Sequence, residues 1–254
     1  MYFDSHAHLD DNRFNADRAE IFAQLPTCGV DLVMNVGCDL ASSVRSVALA
    51  RQYSFIYAAV GSHPDDAAAV DGTLLERYRA LCAEPKVRAV GEIGLDYHYE
   101  DVPRVQQLIA FEQQLALAES LKLPVIVHER EAHGDAMDIV RRHPDARGVF
   151  HCFSGSAEMA LWLAERGWYL GFTGVVTFKN ARRAVEAVRA LPLDRILIET
   201  DCPYMAPEPY RGRRNDSRYV PLVAAKIAEL RGLTAEEFGE ISTQNAKRLF
   251  GIGG

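Results

Sequence analysis

The chain has 254 residues, 48% hydrophobic and 25% charged, enough for one globular domain with a large core. A net charge of −7 argues against a broad basic face for duplex nucleic acid. Five cysteines without CxxC spacing argue against a disulfide framework or a zinc ribbon, and no apolar run is long enough for a membrane span.

The first predicted strand is Tyr2–His8. Residues two apart in a strand share a face, so His6 and His8 present two imidazoles side by side. Asp4 lies deeper on the same face and reads as a structural or supporting residue. No basic and apolar leader precedes the strand, so the expected compartment is the reducing cytosol. Strands Asp31–Gly37 and Phe55–Gly61 follow, the second leading into Ser62-His63-Pro64. Strand Val87–Glu92 delivers Glu92. The clearest helix is Arg104–Leu121, with apolar residues at Val105, Leu108, Phe111, Leu115 and Ala118. Strands Pro124–His128 and Arg147–His151 end on histidines, with Arg130 just past the first. Helices are expected at Ala157–Arg166 and Ala181–Leu191, with strand Trp168–Thr173 between them. Lys179 and Asn180 follow that strand. The eighth strand, Arg195–Thr200, runs into Asp201, with Glu199 one layer deeper on the same side. Helices at Tyr219–Leu230 and Thr234–Leu249 complete the chain; Thr234 and Glu237 have capping-box spacing.

Eight short apolar strands alternating with helices suggest an α/β fold, a single-domain (β/α)8 TIM barrel spanning 1–254. A doubly wound open sheet shows the same alternation. Candidate ligands end strands one, four, five, six and eight, however, and they converge only if the sheet closes. In barrels the site lies at the C-terminal strand ends.

His6, His8, Glu92, His128, His151 and Asp201 offer only nitrogen and oxygen, which suits magnesium, manganese or zinc. One ion rarely takes six such ligands, whereas two ions sharing a carboxylate can. A strand-end histidine taken alone is ordinarily a satisfied polar residue; the recurrence at five strand ends carries the metal reading. Such a site attracts phosphate and activates a water. His63, Arg130, Lys179, Asn180, Arg211 and Asn215 lie in loops at the same end and form a set of phosphate and sugar contacts. Arg211, Arg213, Arg214 and Arg218 make a local basic cluster. Tyr97 and Tyr204 are placed to stack on a base or to pack a lid. Glu199 reads as orienting a ligand or a water. His98, His133 and His143 lack strand-end placement, and Cys152 and Cys202 read as packing residues.

These residues fall in the stretches FDSHAHLD, GSHP, GEIGLDY, VHERE, FHCFSG, TFKNA, ETDCPYMAP, RGRRN and NAKRLFG. The chain thereby resembles the TatD-type metal-dependent deoxyribonucleases of the amidohydrolase superfamily, from residue 3 to residue 251. The resemblance implies that His6, His8, Glu92 and Asp201 hold one divalent ion. It implies that Glu92, His128 and His151 hold the other, with Glu92 bridging. It makes Asp201 the acid/base on the water and sets His63 and Arg130 near the substrate phosphate. It also implies 3′-end-directed cutting of DNA, favouring single strands or frayed ends; the sequence does not fix the oligomeric state, and a monomer is the favoured expectation. Two departures stand out. Asp65 follows Pro64 where many relatives have histidine, and Cys202 replaces a common serine. The alternatives are a lactonase or other amidohydrolase, an aminoacyl-tRNA ester hydrolase, and a non-catalytic metal-binding scaffold. Many amidohydrolases bridge their metals through a modified lysine on strand four; here Glu92 stands there and Lys86 lies at the strand's beginning.

Overall fold

A computed structural model describes residues 1–99 and 101–253. In chain order its main elements are β1 (Tyr2–Ala7), α1 (Arg18–Gln24), β2 (Val30–Val36), α2 (Leu40–Gln52), β3 (Ile56–Val60) and α3 (Gly72–Cys82). Then come β4 (Val87–Asp96), α4 (Arg104–Leu121), β5 (Val125–Arg130), α5 (His133–Arg142), β6 (Gly148–Phe150) and α6 (Ala157–Glu165). The last are β7 (Tyr169–Phe172), α7 (Arg182–Ala190), β8 (Ile196–Ile198), α8 (Val220–Arg231) and α9 (Ala235–Phe250). The eight strands are parallel and ordered as in the sequence, and Ala7 of β1 bridges to Cys202 just beyond β8. This is the (β/α)8 barrel expected from the strand–helix alternation. Both faces of such strands are covered, which is why every residue of β1 is buried.

Backbone contacts group the chain into two compact units, residues 1–35 with 152–253, and Val36–His151. In the first, α9 braces both β1 and β8. The Phe3 and Phe250 ring centroids are 6.0 Å apart. The Asn245 amide donates to the carbonyls of Leu193 and Ile196, and the Ser242 hydroxyl accepts from the Ile198 amide. Gly239 permits the close approach, because a Cβ there would lie 2.4 Å from the Tyr2 ring. The expected capping box forms at Thr234 and Glu237, which satisfies two otherwise orphaned donors.

In the second unit α4 does something its apolar spacing does not announce. Val105 is exposed, while Gln107 and Gln114 are buried beside Phe111, Leu115 and Ala118. Gln114 donates to the Ser62 carbonyl at 3.1 Å and accepts from the Ser62 amide at 2.8 Å. Gln107 does the same for Asp96, at 2.9 and 2.8 Å. Two glutamines two turns apart thus fix the loop after β3 and the end of β4.

Strand lengths also differ from expectation. β4 continues through Asp96 and β5 through Arg130, so Glu92 and His128 lie within strands rather than at their ends. The pairing Gly94↔His128 and Asp96↔Arg130 extends both strands past the apolar run. Helices α1, α2, α3 and α5 had no individual sequence assignment. Among the described residues, no helix is long and apolar enough to cross a membrane.

Candidate metal centre

In the first unit, β1 and the chain just beyond β8 build one cluster. The Nε2 atoms of His6 and His8 face each other at 3.1 Å. Asp201 Oδ1 lies 3.4 Å from His8 Nε2 and 3.8 Å from His6 Nε2. Ligands each about 2.1 Å from one tetrahedral ion lie roughly 3.4 Å apart, so the three atoms suit a shared cation. Asp201 reaches this place because its amide donates to the His6 carbonyl and the His8 amide to the Cys202 carbonyl. Its backbone is left-handed, φ 53°, a conformation costing about 1–3 kcal/mol for a non-glycine residue.

Asp4 secures the same stretch. Its two oxygens accept from the Thr200 amide at 2.8 Å and the Thr200 hydroxyl at 2.6 Å, as its supporting role predicted. Burial raises its carboxyl to about 6. Glu199 accepts from the Cys152 amide and lies 3.3 Å from the Ser5 hydroxyl. Burial, then the charges of Asp201 and Asp4, push Glu199 well above the usual carboxylate range. Gly171 leaves it room, since a Cβ there would sit 2.3 Å from Glu199 Oε2.

The second unit holds the other cluster. Glu92 Oε1 is 2.7 Å from His151 Nε2 and 2.9 Å from His128 Nδ1, and those nitrogens are 3.2 Å apart. The His128 and His63 ring centroids are 4.4 Å apart, and His63 Nε2 lies 3.9 Å from Glu92 Oε1. His63 Nδ1 accepts from the Asp65 amide at 3.2 Å and lies 3.3 Å from its carboxylate. The Asp65 backbone amide therefore orients His63. Asp96, to which the sequence reading gave no role, sits 3.0 Å from His128 Nε2. Its signal was the Glu92-x-Gly94-x-Asp96 spacing, which sets both carboxylates on one strand face. Burial opposes a charge on His128, but Asp96 and Glu92 outweigh it and raise the imidazole to about 10.

The outer residues divide. Arg130 at the end of β5 stands 5.2 Å from the Tyr99 ring, and exposed Arg211 stands 4.3 Å from Phe178, next to exposed Lys179. Among the described residues no carboxylate pairs with Lys179 or Arg211, whereas the Arg130 charge acts on Asp96. Arg214 and Arg218 are instead paired with Asp17 and Asp216, which leaves Arg211 and Arg213 from the basic cluster. Asn215 is buried, not a sugar contact: its amide donates to the Thr200 and Tyr204 carbonyls. Tyr97 donates to Asp135 at 2.6 Å with Arg104 over its ring, so it packs rather than stacks on a base. Tyr204 remains 49% exposed, its ring and hydroxyl held by Arg13. His98, His133 and His143 pair with Glu131, Glu129 and Glu119, outside both clusters. Cys202 is buried, and Cys152 Sγ lies 3.6 Å from the Thr173 hydroxyl. Lys86 donates to the Tyr53 and Ser54 carbonyls.

The family model described as TatD related DNase matches residues 3–251. The uncharacterized metal-dependent hydrolase YabD of Bacillus subtilis is 43% identical, over 99% of this chain and 100% of its own. A Cronobacter turicensis protein named 3′-5′ ssDNA/RNA exonuclease TatD is 36% identical, over 98% and 97%. The crystal structure of YJJV, a TatD homolog from Escherichia coli, superposes with a TM-score of 0.93 at 31% identity, covering 99% of this chain and 98% of that one. With matches of this extent, the chain belongs to the TatD related DNase family of metal-dependent hydrolases.

Proposed function

We propose that this barrel, acting as one domain, is a two-ion 3′→5′ exonuclease for single-stranded DNA. The observation that carries the reading is the pair of imidazole–carboxylate clusters, one around His6, His8 and Asp201, one around Glu92, His128 and His151. A relative named for ssDNA and RNA exonuclease activity supports the substrate class. The ligand atoms are nitrogen and oxygen at mutual distances that fit coordination, which suits magnesium, manganese or zinc. His6, His8 and Asp201 would hold one ion, and Glu92, His128 and His151 the other. When bound, the ions supply positive charge to the phosphate and acidify a water.

The chain's own groups do the rest. Asp201 takes the proton of the attacking water as general base. Glu199 lies buried one layer below and orients the groups above it. His63, steadied by Asp65, and Arg130 hold the scissile phosphate. Lys179 and Arg211, exposed and without carboxylate partners, hold its neighbours. Sites at the C-terminal strand ends of barrels are walled by the βα loops, and a single strand reaches such a floor more readily than a duplex backbone. The acidic surface offers little to hold a duplex along its length.

Exhaustive chelation should abolish hydrolysis, and magnesium, manganese or zinc should restore it. A 5′-labelled single strand should shorten stepwise from its 3′ end. Full activity with no metal by elemental analysis, or closed single-stranded circles cut as fast as linear strands, would sink the reading. RNA, lactone and aminoacyl-tRNA substrates in the same assay separate the remaining hydrolase activities.

A further inference from the structure

Three of the four clustered histidines turn Nε2 inward: His6, His8 and His151. His128 alone turns Nδ1 inward, 2.9 Å from Glu92 Oε1 and 3.2 Å from His151 Nε2. A half-turn of the ring would exchange its nitrogens, so something must choose between them. The outer nitrogen's partner ordinarily makes that choice. Here the partner is Asp96, whose Oδ2 lies 3.0 Å from His128 Nε2.

Asp96 is itself immobilised. Its Oδ1 accepts from the His98 amide at 2.8 Å. Its backbone amide and carbonyl are both engaged by buried Gln107 of α4, at 2.8 and 2.9 Å. Gly94, two residues earlier, lets β4 and β5 approach, since a Cβ there would lie 2.0 Å from the His128 carbonyl oxygen. Gln107 thus fixes Asp96, Asp96 fixes the His128 ring, and the ring presents Nδ1 to Glu92 and His151.

We infer that Asp96 is the positioning residue of His128: by accepting the Nε2 proton, it reserves the Nδ1 lone pair for a divalent cation. The inference rests on the metal reading above but not on the nature of the substrate. A carboxylate behind a ligating imidazole also raises its basicity, and losing one typically costs about 10–100-fold in metal affinity.

The test is calorimetric titration of manganese or zinc into chelator-stripped wild type, Asp96→Ala and Asp96→Asn, with thermal melts of each apoprotein. Asp96→Ala should bind one ion about 10–100-fold more weakly. Asp96→Asn should regain part of that loss, because its amide oxygen can accept the Nε2 proton at the expense of the bond from the His98 amide. Wild-type affinity in Asp96→Ala overturns the inference, as does an Asn variant that folds normally yet binds more weakly than Ala. Histidine nitrogen spectra of the zinc-loaded wild type give a readout that needs no variant. His128 should carry its proton on Nε2 and the metal on Nδ1, and the opposite assignment overturns the inference. No metal binding by wild type would remove the metal reading and the inference with it. Inactivity on DNA with metal binding intact would count against the exonuclease reading alone.

Discussion

Asp201 is held from three sides. Its amide bonds to β1, Asp4 grips the preceding Thr200, and Asn215 closes over the Thr200 and Tyr204 carbonyls. Asp201→Asn keeps an oxygen for coordination but loses the basic carboxylate. Its kcat on a single-stranded oligonucleotide should fall about 100-fold or more, with KM little changed. Steady-state kinetics with saturating metal checks this, and unchanged turnover would take the general-base role away from Asp201. At this scale the sequence singles out residues by their place, as with His128 and His151, each of which follows an apolar run. It was less informative where the partner is remote. Nothing near Tyr97 announces Asp135, and nothing near Asn215 announces that its amide is spent on Thr200 and Tyr204. Asp96 went unseen because its role depends on a histidine 32 residues away.

At the scale of elements, α4 is both a packing helix and a loop support. A period-3.6 pattern finds its apolar stripe but not the buried glutamines, which satisfy loop backbone that water would otherwise have to reach. Gln114→Ala would leave the Ser62 amide and carbonyl unpaired beneath the loop that carries His63. An unsatisfied buried group costs about 1–3 kcal/mol, so the variant should lose roughly 2–4 kcal/mol in chemical denaturation. The Ser62 amide should also exchange faster with solvent. An unchanged denaturation midpoint would show that water or a neighbour replaces the glutamine without cost. β4 teaches a related lesson. Its apolar run stops at Gly91, but pairing with β5 carries the strand on to Asp96. Register with a neighbour, not composition, sets that length.

For the molecule as a whole, eight strands were legible because burial on both faces makes each one an apolar run. Their closure was inferred from where the polar residues fall, and the sequential strand order bears it out. The candidate ligand atoms of each cluster are brought together only in the folded chain. Ions that bind the folded chain alone should therefore stabilise it, by about 2.7 kcal/mol at a hundredfold excess over Kd. Thermal melts with and without manganese measure the shift. A melting temperature indifferent to metal would count against both clusters as binding sites.

The bracing of β1 and β8 by α9 bears on how the chain is made. One compact unit, Val36–His151, is continuous in sequence, whereas the other draws on both ends of the chain. Phe3 must wait for Phe250, and the Met1 carbonyl for the Thr243 hydroxyl that donates to it. At 5–20 residues per second, a ribosome adds Phe250 roughly 12–50 s after His8. Through that interval the first strand and its imidazoles lack the helix that packs against them. A translation product ending before Ala235 would carry all six candidate ligands and still lack the helix that packs on β1 and β8.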